Sequence, residues 1–131
     1  MSDEMRDAIT VGPWPDRYTF VPALRVGRTV FISGTTAADD EGRITAPGDI
    51  VEQTRQISQK FERLLGTVGG SCDDIVQTVD YITTTENYRG TATVRREFFR
   101  TARPTSTGVL VAGLLREGAV IEISAVAVLR G

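Results

Sequence analysis

Residues 49–84 read DIVEQTRQISQKFERLLGTVGGSCDDIVQTVDYITT, and the spacing of apolar residues changes within this stretch. Over residues 49–68 the apolar positions recur on one helical face, Asp49 suits the N-terminus and Gly69-Gly70 suits the C-terminus, which predicts a helix. Over residues 75–84 the chain is rich in β-branched residues that alternate with polar ones, which predicts a strand. The domain therefore combines helices with strands.

Strands are also predicted on both sides of this stretch. Residues 18–26 and 29–33 are β-rich runs separated by Gly27-Arg28, which is typical of a hairpin. Strands are predicted over residues 107–115 and 119–129, with a hairpin turn between them at Arg116-Glu117-Gly118.

A second helix is predicted over residues 87–101, with Asn87 as a candidate cap and Pro104 just beyond its end. The predicted order is ββαβαββ. Two helices cannot cover both faces of such a sheet, so we expect them on one face, in an α+β fold.

The chain length predicts a single domain. Residues 1–17 are polar and contain Gly12-Pro13-Trp14-Pro15, which predicts a loosely ordered N-terminal arm. Residues 18–131 contain no linker or repeat and are interpreted as the domain itself.

The composition excludes several function classes. The chain has no histidine and one cysteine, Cys72, which excludes a Ser-His-Asp triad, an intrachain disulfide and histidine or thiolate metal clusters. The net charge of −2 argues against a nucleic-acid partner. No apolar run approaches the roughly 18 residues of a membrane span. The start of the chain lacks the features of a signal peptide, so we expect a cytoplasmic protein without membrane contact.

The predicted last strands are apolar on both sides. Residues 109–112 are consecutively apolar, and Ile121 and Ile123 alternate with Val120, Val126 and Val128. Because the helices cover only one face, the second face is expected to pack against another subunit. The alternative is a monomer whose second face is partly solvated.

Short motifs along residues 18–129 together resemble the RidA/YjgF family of reactive-intermediate deaminases, also called L-PSP proteins. The motifs that carry the resemblance are Val26-Gly27, Val30-Phe31-Ile32-Ser33-Gly34, Asp49-Ile50-Val51-Glu52-Gln53-Thr54, Asp73-Asp74-Ile75-Val76, the stretch from Pro104 to Ala112, and residues 120–127. The resemblance implies a chorismate-mutase-like α+β fold, a homotrimer and small-molecule clefts between subunits. It also implies hydrolysis of enamines or imines to a carbonyl compound and ammonia, without a metal or an organic cofactor.

The chain departs from the family at the position of the arginine that binds a substrate carboxylate. Deaminating members resemble one another in a Pro-x-Arg-Ser/Thr stretch, but here Ser106 occupies the Arg position, between Pro104-Thr105 and Thr107. A hydroxyl cannot supply the charge and planar fork of a guanidinium. Arg103 is a candidate replacement, and the alternative is a cation that interacts with carbonyls at a helix end.

Glu122 matches the family glutamate that binds the hydrolytic water. It lies between Ile121 and Ile123, and a carboxylate in such an apolar strand is a candidate general base. The alternative is a structural carboxylate that pairs across strands.

Further candidate site residues follow from the same resemblance. Tyr18 or Phe20 matches a family tyrosine, depending on a two-residue shift. The backbone amides of Thr107 and Gly108 could bind an anion or a carbonyl oxygen. Ser33 lies where cleft-lining residues are expected, although a turn-capping role is equally compatible.

These residues predict a small-molecule hydrolase or deaminase that acts on an enamine, an imine or a related C=N compound. The loss of the family Arg argues against a housekeeping 2-imino acid deaminase. The alternative is a non-catalytic trimer that binds a metabolite or serves as a scaffold. Ribonuclease activity, ascribed to some relatives, is poorly supported by a slightly acidic chain without histidine.

Overall fold

A computed structural model describes residues 5–130 as an α+β fold, with a six-stranded sheet and two α-helices. The strands are β1 (Arg6–Ile9), β2 (Ala23–Val26), β3 (Thr29–Thr35), β4 (Ile75–Ile82), β5 (Thr105–Leu110) and β6 (Ile121–Val128). The helices are α1 (Ile50–Gly66) and α2 (Thr91–Phe98), and short 3-10 turns lie at Cys72–Asp74 and Tyr88–Gly90. The predicted fold class is confirmed.

Helix α1 forms where the apolar spacing predicts it. The Asp49 side chain accepts a hydrogen bond from the Glu52 backbone N–H at 3.0 Å, which caps the first turn. Ile57, Phe61 and Leu65 are fully buried against the sheet. The helix ends at Gly66, two residues before the predicted end.

The order of strands in the sheet is β1-β2-β3-β6-β4-β5. The predicted hairpin between β2 and β3 is confirmed, because these strands pair antiparallel around Gly27 and Arg28. β6 lies between β3 and β4 and is antiparallel to both. β5 is an edge strand that pairs only with β4, in parallel.

The predicted hairpin at Arg116-Glu117-Gly118 is therefore wrong, because β5 and β6 are not neighbours. A side chain of α1 binds the backbone of this connection. Gln53 is fully buried; its Nε2 donates to the Gly118 carbonyl at 2.9 Å, and its Oε1 accepts from the Val120 N–H at 3.0 Å. β5 also ends at Leu110, so the predicted strand over residues 107–115 is too long.

The prediction of a loosely ordered arm is wrong for residues 6–9, which form β1 and pair antiparallel with β2. Ile9 is buried in the core, while the other three residues of β1 are exposed. A four-residue edge strand is too short to show an alternating pattern, and it is defined by backbone pairing with β2. Residues 1–4 of the predicted arm lie outside the described residues.

The second helix is shorter than predicted. It begins at Thr91 after the 3-10 turn and ends at Phe98. The expectation that Asn87 caps it is wrong: Asn87 adopts a left-handed conformation with φ of 60° and makes no side-chain capping bond. Asn tolerates this region of φ/ψ space better than most residues, so it serves the turn that precedes the helix.

The two faces of the sheet differ in burial. On one face, Ile121, Ile123, Ala125 and Ala127 of β6 are buried under the helices. The opposite, open face carries apolar side chains that remain accessible, including Phe31, which is 49% exposed, and Val109. Within residues 5–130, no helix has the length and apolarity to cross a membrane.

Candidate functional site

Glu122 lies on the open face of the sheet, at the start of β6. Its neighbours Ile121 and Ile123 point into the core, so the alternation of the strand turns Glu122 to the opposite side, where it is half-buried. The register places it beside Tyr81 of β4. The carboxylate is thus set in an apolar strand while its head remains accessible.

The Glu122 carboxylate packs against the backbone of β3. A Cβ built on Gly34 would lie 2.7 Å from Oε2 of Glu122, so only glycine allows this close approach. The four salt bridges among residues 5–130 all involve other groups, so no cross-strand ion pair neutralises Glu122 within the protomer.

An aromatic cluster lies in the segment before β2. The rings of Trp14, Tyr18 and Phe20 are 4.9–5.5 Å apart, and Trp14 Nε1 donates to the Phe20 carbonyl at 2.7 Å. The Ser33 hydroxyl donates to the Val21 carbonyl at 2.6 Å, which ties this segment to β3 directly before Gly34. The Ser33 hydroxyl therefore has a structural use, and Phe20, which is 52% exposed, is available on the surface nearby.

Tyr18 faces the connection between β5 and β6. Hydrogen bonding with the Arg116 guanidinium, and next with Arg17, lowers the pKa of Tyr18. Arg17 also stacks over the Tyr18 ring at 4.9 Å from its centroid. Tyr18 is thus engaged by cations, whereas Phe20 is not, and the two candidates for the family tyrosine differ in their surroundings.

Lys60 is the only lysine of the chain, and its ammonium group donates to the Thr36 carbonyl at 2.7 Å. Burial, together with the positive charges of Arg63 and Arg116, lowers the pKa of Lys60 to about 8. An ordinary lysine side chain titrates near 10.5. The folded chain therefore releases this proton at a lower pH than the unfolded chain.

This difference predicts a pH dependence of stability. Between about pH 8 and 10.5 the unfolded chain binds more protons at Lys60 than the folded chain, so the contribution of Lys60 to stability rises with pH in this window. The urea midpoint of the wild type, measured relative to that of Lys60→Met, should therefore increase from pH 7.5 to pH 10. A constant difference between the two midpoints would contradict the prediction.

β5 contains the stretch that the resemblance relates to substrate binding, and all six of its residues are exposed. Ser106 pairs with Thr78 of β4, so the two residues lie on the same face of the sheet. Arg103 is exposed two residues before β5, five residues beyond the end of α2. It is too far along the chain to serve as a cation in the last turn of that helix.

The backbone geometry of β5 favours Gly108 over Thr107 as an amide donor. The Val111 N–H donates to the Ile82 carbonyl at 2.8 Å, and successive amides of a strand point to opposite sides. By this alternation the Thr107 N–H points to β4, while the Ser106 and Gly108 N–H groups point to the open edge of the sheet. An edge strand leaves such groups free for a ligand.

The candidate residues form two groups within one protomer. Glu122, Gly34 and Ser33 lie together, whereas Ser106, Thr107 and Gly108 lie on β5. The register runs from Glu122 across Tyr81 to Val109, which separates the two groups by two strand spacings, roughly 10 Å. The free amides of β5 also point away from Glu122. A groove of about 360 Å³ on the helices, lined by Gln59, Glu62, Arg63 and Phe98, holds none of these residues.

A buried polar network beneath β5 is absent from the sequence-based predictions. Asp80 of β4 is fully buried, and its Oδ2 accepts hydrogen bonds of 2.5 Å from the Tyr88 hydroxyl and from the Arg95 guanidinium. Burial, and next the hydrogen bond to Asp80, raises the pKa of Tyr88 to about 12. Asp80 interrupts a β-branched strand in the same way as Glu122, and this signal could have identified it.

Cys72 has the properties of a structural residue. It is buried, its Sγ lies 3.7 Å from the Ser58 carbonyl, and burial raises the pKa of its thiol. A buried thiol with a raised pKa is unreactive. Among residues 5–130, no group of three or more His, Cys, Asp or Glu side chains is arranged to hold a metal ion.

Comparison with known proteins matches residues 15–129 to the family described as Endoribonuclease L-PSP. The chain is 30% identical over 116 residues to a protein of Acinetobacter baylyi named 3-aminoacrylate deaminase RutC, covering 88% of this chain and 91% of the relative.

Solved structures show the same fold. A crystal structure from Thermotoga maritima superposes with a TM-score of 0.85 at 28% identity, covering 97% of this chain and all of the other. A Mycobacterium tuberculosis member of the YjgF/YER057c/UK114 family superposes with a TM-score of 0.80 at 29% identity, covering 95% of this chain and all of the other. The motifs, the fold and these matches agree: the chain belongs to the L-PSP family, the RidA/YjgF family of the sequence resemblance.

Proposed function

We propose that this chain hydrolyses an enamine or imine to a carbonyl compound and ammonia, with a water molecule activated by Glu122. The observation that carries the proposal is the Glu122 carboxylate, accessible and packed against Gly34 with no ion pair in the protomer. A base that is not already neutralised by a cation can accept a proton from water. The relative named 3-aminoacrylate deaminase supports a substrate of this class.

The proposed reaction follows from the groups available. An enamine is first protonated by solvent on its β-carbon, which gives an iminium ion. Water attacks the carbon of C=N while Glu122 accepts one of its protons, and the product is a neutral carbinolamine. Glu122 then returns this proton to the amine nitrogen, the hydroxyl group loses its proton to solvent as the C=O bond forms, and ammonia leaves. The Gly108 N–H is the proposed donor to the substrate oxygen, on which electron density rises as the hydroxyl group loses its proton.

The site is proposed to form between subunits of a homotrimer. Glu122 and the Gly108 N–H point apart within one protomer, so a second copy is needed to bring a Glu122 and a β5 edge to the same substrate. The accessible apolar side chains of the open face, such as Phe31 and Val109, support a subunit contact there. Phe20 is the candidate for an aromatic wall of the cleft.

The proposed substrate lacks a carboxylate on the carbon that water attacks. Ser106 stands at the family Arg position and cannot hold such a carboxylate through a bidentate ion pair. In 3-aminoacrylate the carboxylate is one carbon further from the nitrogen-bearing carbon than in a 2-imino acid, so it would be anchored elsewhere. Arg103, which is exposed at the approach to β5, is a candidate anchor.

The second candidate function is a non-catalytic trimer that binds a metabolite or serves as a scaffold, and Ser106 is the observation that favours it. Ribonuclease activity is not proposed, although the matched family is described as Endoribonuclease L-PSP. The chain has no histidine to act as a general acid or base, and its net charge of −2 offers no attraction to phosphates.

The proposal is tested by following ammonia release from two substrates generated in situ, 3-aminoacrylate and 2-iminopropanoate. We expect the wild type to accelerate hydrolysis of 3-aminoacrylate, and to act on 2-iminopropanoate at least about tenfold more slowly because the carboxylate partner is missing. Equal rates would contradict the proposed substrate preference. No acceleration with either compound, combined with thermal stabilisation by small carboxylates, would favour the non-catalytic alternative.

The assembly is tested separately by light scattering. A mass of three times the 14.3 kDa chain is expected, and a mass of one chain would contradict the shared cleft.

A further inference from the structure

A buried polar network lies directly beneath the strand proposed to bind substrate. The Asp80 carboxylate has no solvent exposure, and both of its hydrogen-bond donors, Tyr88 and Arg95, contact the same oxygen, Oδ2. Arg95 Nε also lies 3.4 Å from the Thr91 hydroxyl oxygen. These bonds restrict the Tyr88 hydroxyl to one position.

That position is in contact with β5. The register places Asp80 beside Gly108, and a Cβ built on Gly108 would lie 3.2 Å from the Tyr88 hydroxyl oxygen. This spacing is tighter than most contacts made by a real Cβ, so the hydroxyl occupies the space that a side chain at position 108 would need. A methyl group at position 108 would require the hydroxyl or β5 to move by a few tenths of an ångström, and the requirement is one of space, since φ of Gly108 is not in the left-handed region.

Within one protomer, β5 has few other restraints. It is an edge strand whose ladder partner is β4 alone, and none of its residues is buried. What packs on the helix-facing side of Gly108 therefore influences where the strand lies. A shift of β5 would also move the free N–H of Gly108.

We propose that Tyr88, Asp80 and Arg95 are positioning residues that hold the Gly108 N–H in place for the substrate. Asp80 and Arg95 fix the Tyr88 hydroxyl, and the hydroxyl sets the distance of β5 from the helical layer. The inference rests on the proposed function, because it assigns the Gly108 N–H to the reaction. It adds three residues that do not touch the substrate.

The test compares Tyr88→Phe, Gly108→Ala and the double variant in the full chain. Tyr88→Phe removes only the hydroxyl and keeps the ring and the Asp80–Arg95 pair, so it is expected to fold. Gly113→Ala is the matched control for Gly108→Ala, because a Cβ at Gly113 meets nothing within 4 Å. Two readouts are used: kcat and KM for 3-aminoacrylate, and the NMR signal of the residue 108 amide.

Gly108→Ala is expected to lower kcat about tenfold with KM changed less than twofold, because a misplaced donor weakens binding of developing charge. In the Tyr88→Phe background, Gly108→Ala should lower kcat by less than about twofold, because the methyl group enters the space of the lost hydroxyl. Tyr88→Phe alone should shift the Gly108 amide signal.

If Gly108→Ala lowers kcat by the same factor in the wild-type and the Tyr88→Phe backgrounds, the proposal is overturned. Tyr88→Phe with an unchanged kcat and an unchanged Gly108 amide signal would also overturn it, even if its urea midpoint fell, because that result would make the hydroxyl purely structural. If the wild type shows no turnover, the proposed function fails, and the amide signal alone decides whether Tyr88 positions Gly108.

Discussion

Glu122→Gln is expected to lower kcat for enamine hydrolysis by about 10²–10⁴-fold, because an amide cannot accept the proton of the attacking water. Gln has nearly the size and shape of Glu, so its contact with Gly34 and its place on β6 are kept. The measurement is ammonia release at saturating substrate, with a urea midpoint to verify folding. The matched control is Glu117→Gln, which removes an equal charge from an exposed residue of the connection 111–120.

Gly34→Ala tests the position of the same carboxylate rather than its charge. The added methyl group would lie 2.7 Å from Oε2, so the carboxylate must rotate away. A decrease of at least about tenfold in kcat is expected, since small displacements of a catalytic group have large effects. If Glu122→Gln and Gly34→Ala both retain wild-type turnover, Glu122 is not the base.

Arg95→Met is expected to cause the largest loss of stability of any single substitution considered for this chain. It removes the cation that pairs with Asp80, whose side chain is completely buried, while the Arg95 side chain is 20% exposed. Breaking a buried pair leaves an uncompensated charge, which typically costs 3–5 kcal/mol. The partial exposure of Arg95 and the remaining hydrogen bond from Tyr88 to Asp80 reduce this loss of stability. We therefore expect the free energy of unfolding to fall by about 2–4 kcal/mol.

The control for this prediction is the next residue along the chain. Arg96→Met removes the same charge from an exposed position and should change the free energy of unfolding by less than about 0.5 kcal/mol. Both are measured by urea unfolding at one protein concentration, because any assembly contributes to the apparent stability. The double variant Asp80→Leu/Arg95→Met should recover part of the loss. Arg95→Met with the stability of Arg96→Met would show that the buried pair contributes little.

Local sequence patterns predicted the elements of this fold better than their neighbours in the sheet. The apolar spacing and Asp49 located α1 to within two residues at each end, because a helix is stabilised by contacts within a few residues. The turn-like Arg116-Glu117-Gly118 between two apolar runs looked like a hairpin for the same local reason. It is not a hairpin, because β4 pairs with both β5 and β6 and separates them, and Gln53, 65 residues from Gly118, binds the backbone of the connection.

The features of the candidate site also differ in whether a local sequence pattern could predict them. Glu122 was identifiable because a carboxylate in an apolar strand is unusual, and alternation along β6 alone turns it to the open face. Its contact with Gly34 depends on the pairing of β3 with β6, which brings together residues far apart in the chain. The contact between Tyr88 and Gly108 likewise requires that β4, β5 and the turn before α2 meet, and no local pattern contains that information.

The sequence by itself determined the fold class, the family and the helix α1, and it marked Glu122 as a candidate, because each follows from short-range periodicity or from motifs in a fixed order. Only the tertiary structure decided that β6 lies between β3 and β4, that β1 completes the sheet, and that Asp80 and Tyr88 lie against β5. The physical reason is that strand pairing and the burial of polar groups are satisfied between distant segments, where many arrangements are compatible with the same local pattern.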